Sequence, residues 1–170
     1  MTPNIAAFLA MSSHSEGTDR AADPYRVCYA FKHTIVDLSF HPAEPRGPLG
    51  AIEWPGEPLD GRDGSRNLGP QYAGMHSTAA GRYQMTLHTW LACKETLSLQ
   101  SFDAAAQNDA CILLIKQKGA LDDVRAGKVQ DAIFKCRGLW ASFPASESGQ
   151  PKRELADMLD RFTAAGGALV

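Results

Sequence analysis

The stretch Ser15-Glu16-Gly17-Thr18 closes an N-terminal helical run, and Ser77-Thr78-Ala79-Ala80-Gly81-Arg82-Tyr83-Gln84 follows far downstream. Read together, these two segments decide the fold. The first places one carboxyl group where a helix stops, with Gly17 free to take the left-handed conformation that turns the chain away. The second is a run of small and hydroxyl residues in which Gly81 lets backbone approach a ligand, followed by long polar side chains able to grip one. Outward from Glu16, Thr2 can cap the first helix with Pro3 at its first position. Ile5, Phe8, Leu9 and Ser12 then share one face at the i, i+3, i+4, i+7 spacing, and the helix ends at or near Glu16.

Between the two segments the chain changes character twice. Residues 25–40 are rich in β-branched and aromatic residues and predict two short strands. Residues 41–76 hold seven of the fifteen glycines and six of the ten prolines, which predicts a long irregular loop. Trp54 sits in that loop, where an exposed indole is expected to meet a ligand. Beyond Gln84 the pattern is helical. Met85–Leu99 forms one helix, and Asp103 caps another that runs to about Lys118 and stops at Gly119. The centre of that helix is apolar nearly all round, so it is expected to be the buried central helix. A short helix over Leu121–Ala126 precedes a stripe of Val129, Ala132, Ile133, Cys136, Leu139 and Trp140. Ala141–Pro151 is a second loop, and Leu155, Met158, Leu159 and Phe162 mark a last helix ended by Gly166-Gly167. The expected architecture is α+β: a mainly helical body, a small β lobe, and a substrate cleft between them with Glu16 at the junction.

The chain's 170 residues, 44% of them hydrophobic, predict a single globular domain. Its 17 basic and 19 acidic residues give a net charge of -2, with no basic tail or block, which disfavours a nucleic-acid partner. The N-terminus lacks the basic and apolar regions of a secretory signal, and no apolar run approaches a bilayer's span. Accumulation in the cytoplasm is therefore expected, with no membrane partner. Cys28, Cys93, Cys111 and Cys136 are scattered, which favours reduced, buried thiols over disulfides. His14, His33, His41, His76 and His88 show no tight ligand spacing, so neither a metal nor another cofactor is expected. Esterase, Walker and Rossmann patterns are absent as well.

The chemistry therefore falls to Glu16. A general acid must be protonated near neutral pH, and partial burial against apolar groups raises a carboxyl pKa by penalising the charged form. An acid facing a polar strip is what glycosidic bond cleavage requires. Asp19, Asp23 and Asp37 could supply a second carboxylate, but each is more economically a turn or cap residue. Trp140, ending its helix, either stacks on a sugar face or simply packs; Trp90 lies mid-helix and reads as core.

Taken in order, Ser15-Glu16-Gly17-Thr18-Asp19, Tyr25, His41-Pro42, Ser77–Gln84, Lys118-Gly119-Ala120-Leu121 and Trp140-Ala141-Ser142 resemble the lambda-type phage endolysins. These are lysozyme-like lytic transglycosylases, and the resemblance runs from about Phe8 to Gly167. It implies a lysozyme-like fold with Glu16 as catalytic acid/base. It also implies that residues of the Ser77–Gln84 segment line the saccharide site, so Ser77, Thr78, Gly81, Arg82, Tyr83 and Gln84 are expected there, with Tyr25 and Trp140 as further candidates. The implied substrate is the β-1,4 bond between N-acetylmuramic acid and N-acetylglucosamine in peptidoglycan glycan strands. That bond is opened without water to 1,6-anhydromuramoyl ends. The expected protein is held in the host cytoplasm until a holin releases it to the periplasmic wall, with a monomer as the default. The stretch from Glu16 to Ser77 is longer than the family's, mainly within 41–76, where the family forms a lip over the substrate. Two alternatives remain at this point: a hydrolytic muramidase on the same fold using Asp19 or Asp37 with water, and a non-catalytic peptidoglycan-binding protein.

Overall fold

The side chain of Thr2 accepts a hydrogen bond from the Ile5 N–H (3.4 Å), and Pro3 fills the first turn, so α1 begins where its cap dictates. In the computed structural model, which describes residues 1–59, 74–148 and 150–170, the helices are α1 (Pro3–Ser15), α2 (Leu87–Leu97), α3 (Ala104–Gln117), α4 (Leu121–Ala126), α5 (Val129–Cys136) and α6 (Leu155–Ala164). A two-stranded antiparallel sheet pairs β1 (Glu57–Pro58) with β2 (His76–Ser77), in the register Glu57↔Ser77 and Pro58↔His76. The fold is thus mostly helical with a small sheet. The chain divides into two compact units, one of Met1–Arg20 with Asn108–Val170 and one of Ala21–Gln107.

The first unit is organised by α1. Ala7, Phe8, Leu9, Met11, Ser12 and Ser13 are all at most 1% exposed, and the helix packs on α6 and α4. The core continues through Ile115, Val124, Ile133, Phe143, Met158 and Phe162. Phe8 meets Phe143 edge-on at 6.4 Å. The expectation of a central α3 is corrected here. Ala110, Cys111 and Ile115 are buried, but Ile112, Leu113 and Leu114 are only half-buried and Asp109 is exposed. Three consecutive apolar residues are spread over most of the helix circumference, so they cannot all face one core. The more enclosed helix is α1. Its polar serines are tolerated inside because the Ser12 hydroxyl donates to the Phe8 carbonyl (2.9 Å) and Ser13 pairs with Thr18 (2.9 Å).

The second unit corrects the β reading. Residues 25–40 do not form two strands. They contain 3₁₀ turns at Pro24–Arg26 and Tyr29–Phe31, and single bridges Val27↔Thr34 and Cys28↔Ala80. Asp23 caps the first turn through the Tyr25 N–H (3.0 Å), and Pro24 fixes its φ. Ala30 and Phe31 hold φ of 55° and 59°, which no strand accommodates. The Arg26 guanidinium then takes the Ile35 and Val36 carbonyls (2.7 and 2.9 Å) that a strand partner would otherwise have used. Paired strands arise instead at 57–58, inside the stretch read as irregular loop, and at 76–77, where it ends. Residues 60–73 of that stretch lie outside the described residues, as does Gly149 in the second loop. The helices match their sequence signals closely. Thr86 caps α2 through Thr89, and Asp103 caps α3 through the Ala106 N–H (2.9 Å). The four cysteines are free and buried, and burial holds the Cys28 and Cys136 thiols up at about 12. No helix among the described residues is long and apolar enough to cross a membrane.

Candidate active site

Glu16 is the C-cap of α1, its N–H donating to the Ser12 carbonyl (3.1 Å). Gly17 follows at φ 74°, a conformation that suits glycine, and the chain turns into a 3₁₀ turn at Thr18–Arg20. The Glu16 carboxyl points into the first unit, where the Ser142 hydroxyl donates to its Oε1. Ser142 in turn pairs with the Ser15 hydroxyl (2.7 Å). Arg153 fastens this arrangement. Its N–H donates to the Ser142 carbonyl (2.8 Å), and its guanidinium reaches the Ser15 and His14 carbonyls (3.3 and 3.1 Å) at the end of α1.

The arrangement has an electrostatic consequence for Glu16. Burial pushes the Glu16 pKa up to about 7, against the opposing pulls of the Ser142 hydrogen bond and the Arg153 charge. The negative end of the α1 dipole acts in the same direction as burial. A carboxyl that titrates at about 7 can give a proton and take one back at neutral pH, which is what a single acid/base group requires.

The other carboxylates are committed elsewhere. Asp19 accepts from His14 Nδ1 (2.9 Å) and from Arg161 (3.2 Å), while His14 Nε2 lies 3.1 Å from Asp157. His14 thus points away from Glu16, as its spacing predicts. Asp23 caps its 3₁₀ turn and pairs with Arg26 (3.3 Å). Asp37 accepts from the Ser39 N–H (2.8 Å) and from Arg46 (3.2 Å), and chiefly the Ser39 bonds hold its carboxyl below the usual range.

In the second unit, Ser77–Gln84 is a tight, hydrogen-bonded turn. Gly81 stands at φ 74°, where an added Cβ would lie 2.2 Å from Gln107 Oε1 and 2.9 Å from Phe102. That Oε1 accepts from the Arg82 N–H (2.9 Å), while Gln107 Nε2 donates to the Tyr25 and Phe102 carbonyls (3.0 and 2.7 Å). Arg82 donates to the Tyr25 hydroxyl (2.7 Å) and lies over the Tyr25 ring. Gln84 donates to the Val27 and Gly81 carbonyls (3.1 and 3.0 Å). Thr78 Oγ1 accepts from the Leu87 N–H (2.9 Å), Ser77 Oγ accepts from the Ala79 N–H (3.3 Å), and Tyr83 is 1% exposed. Tyr25 and Arg82 are therefore brought together, and much of the rest of the strip shapes the backbone. His41, within the same unit, is buried between the Met85 carbonyl (3.1 Å) and the Ala43 N–H (3.2 Å); its burial pushes its pKa down to about 4.

Both tryptophans outside α2 are buried. Trp140 is 4% exposed and packs on Phe143 at 4.8 Å. Trp54, expected at the surface, is 7% exposed and stacks on His33 at 6.4 Å; the irregular chain around it folds its indole inward. Sequence reasoning passed over Ser142, Arg153 and Gln107. Ser142 lies 126 residues from Glu16, and its one signal was membership of the Trp140-Ala141-Ser142 motif. Arg153 and Gln107 carry no local signal at all. A hollow of about 410 Å³ bounded by Ile133, Phe134, Pro144 and Leu155 involves none of the candidate residues. Among the described residues no three of His, Cys, Asp and Glu converge as metal ligands.

A family profile described as Endolysin matches residues 6–169. The endolysin of Escherichia phage P2 is 34% identical over 172 residues, spanning 96% of this chain and 93% of that protein. The endolysin of Escherichia phage lambda is 34% identical over 95 residues, 56% of this chain and 60% of that one. The structure of bacteriophage lambda lysozyme complexed with a chitohexasaccharide superimposes with a TM-score of 0.79 at 28% identity, covering 100% of this chain and 98% of that one. The chain belongs to the endolysin family. Its members are phage enzymes that cleave peptidoglycan, and the fold is that of the lambda lysozyme.

Proposed function

We propose that the chain opens the β-1,4 bond between N-acetylmuramic acid and N-acetylglucosamine by lytic transglycosylation, with Glu16 as the one acid/base. The observation that carries this reading is a carboxyl titrating at about 7, while Asp19, Asp23 and Asp37 are each already engaged, by His14 and Arg161, by Arg26 and by Arg46. Protonated Glu16 gives its proton to the leaving glycosidic oxygen. The resulting carboxylate takes the proton of the muramoyl C6 hydroxyl, which closes on C1 to a 1,6-anhydro ring. A retaining hydrolase needs a second carboxylate about 5 Å away, and an inverting one needs it at about 6.5–9.5 Å. With one acid, the sugar's own hydroxyl is the nucleophile held at high effective concentration. Ser142 steadies the carboxyl through its hydrogen bond.

Tyr25, Ser77, Thr78, Gly81, Arg82, Tyr83, Gln84 and Trp140 make up the proposed saccharide-binding set: Tyr25 and Arg82 offer polar tips, Ser77, Thr78, Gly81 and Gln84 set backbone shape, and Tyr83 and Trp140 are buried. The chain acts as a monomeric single catalytic domain with no cofactor. It waits in the host cytoplasm until a holin opens the way to the periplasmic peptidoglycan. The test is mass spectrometry of muropeptides released in heavy-oxygen water. Anhydro ends, one water lighter than hydrolytic ends and unlabelled, support transglycosylation. Labelled reducing ends identify a hydrolytic muramidase, and Asp19 and Asp37 are then the next residues to substitute. No release at all identifies a binding protein.

A further inference from the structure

Phe31 is 57% exposed at a point where the backbone is strained. Ala30 and Phe31 hold φ of 55° and 59° in succession, in a region that side-chain-bearing residues rarely enter. Glycine would adopt it freely, and an exposed ring gains nothing from the core in return. Backbone bonds hold the turn in place: Phe31 N–H to the Cys28 carbonyl (3.0 Å) and Lys32 N–H to the Tyr29 carbonyl (3.2 Å). The same turn is fastened to the middle of Ser77–Gln84, with Tyr29 N–H donating to the Ala79 carbonyl (2.8 Å) and Cys28 bridging Ala80. The ring borders a hollow of about 180 Å³ whose wall includes Asp23, Arg26, His33 and Thr34. The 3₁₀ turn Pro24–Arg26 links the two places, since its Tyr25 hydroxyl accepts from Arg82 while Arg26 faces the hollow. An apolar ring face beside a polar rim suits a sugar, whose C–H face packs on the ring while hydroxyl and acetamido groups meet the rim.

We propose that Phe31 and the hollow beside it form a further saccharide subsite, which takes a 2-acetamido sugar unit adjoining those bound by the Ser77–Gln84 strip. This rests on the saccharide reading of that strip. The test is calorimetric binding of chitotetraose and chitohexaose to the wild-type chain and to Phe31→Gly, Phe31→Trp and Arg82→Ala, with thermal unfolding of each. Phe31→Gly should weaken hexaose binding by about three- to tenfold, the range of one aromatic contact, and tetraose binding by less. Its Tm should be unchanged or raised by about 2 °C, because glycine relieves the left-handed strain. Phe31→Trp should bind as the wild type does. If Phe31→Gly binds hexaose as tightly as wild type while Arg82→Ala loses it, the subsite is overturned and the strip stands. Weakened binding with a lowered Tm and no recovery in Phe31→Trp also overturns the subsite. If the wild-type chain binds neither sugar, both readings fall.

Discussion

Glu16 at the end of α1 and Glu53 in the second unit are both half-buried glutamates, yet they titrate in opposite directions. Burial pushes both upward. At Glu53, donors from His33 (2.9 Å), the Val36 N–H (2.7 Å), Arg46 (3.0 Å) and the Asp37 N–H (3.3 Å) outweigh it, and the carboxyl is held below the usual range. At Glu16 the Ser142 hydroxyl and the Arg153 charge do not outweigh it, and the pKa rises to about 7. The balance between desolvation and the number of donors separates a carboxylate that braces the fold from one that can move a proton.

The comparison breaks most visibly on Glu16→Gln. Turbidity loss on permeabilised Gram-negative cells should fall by about 10²–10⁴-fold, since the amide keeps shape and loses the proton. The folded protein should meanwhile become more stable at neutral pH. With a folded pKa near 7 above an ordinary value of 4.5, the native state holds the extra proton between those values. Wild-type stability therefore falls as pH rises from 4.5 to 7, by a limit on the order of 3 kcal/mol, and Glu16→Gln should remove that slope in urea titrations. Near wild-type lysis by folded Glu16→Gln would end the assignment.

Glu53→Gln should do the reverse. The loss of charge-assisted acceptors for Arg46 and His33 should cost about 2–4 kcal/mol in denaturant unfolding, with kcat of the folded protein little changed. Because the Glu53 pKa is depressed, its contribution is present above the ordinary carboxyl range and is lost as pH falls through its folded value. A stability loss at pH 8 no larger than that of a surface substitution would remove Glu53 from this comparison.

Ser142→Ala sharpens the contrast from the other side. Removing a donor that lowers the Glu16 pKa should move the alkaline limb of kcat/KM above its wild-type position near pH 7, so that the variant keeps a larger share of its maximal rate at pH 8 than the wild type does. A profile that keeps its wild-type midpoint would show that Ser142 does not tune Glu16. The smallest effect concerns the thiols. All four should titrate as free in denaturant without reductant and react slowly in the native protein, as burial of Cys28 and Cys136 at about 12 requires.

The helices were legible because their signals are local. Thr2 and Asp103 cap the helices they precede, and Gly119 and Gly127 take the left-handed conformation after α3 and α4; the Thr86 cap of α2, one residue inside the helix as read from Met85, was not picked out. The β reading of 25–40 failed because β-branched content carries no information about partners. There, the Arg26 side chain and a left-handed pair at Ala30 and Phe31 replaced the ladder. Trp54 was misplaced for a similar reason, since composition marks a loop but not which way an indole turns inside it.

The sequence by itself determined where Glu16 sits, because a glutamate before a glycine at the end of an apolar helix is a local arrangement. It also determined the family, through short motifs kept in order along the chain. Tertiary structure alone decided what that acid can do. Ser142, Arg153 and the burial that lifts the carboxyl to about 7 come from residues more than a hundred positions away, and desolvation belongs to the folded surroundings rather than to any neighbour in the chain. Gln107, holding Arg82 and the Tyr25 carbonyl from α3, is the same lesson in the second unit: one buried amide sets the turn that the motif only announced.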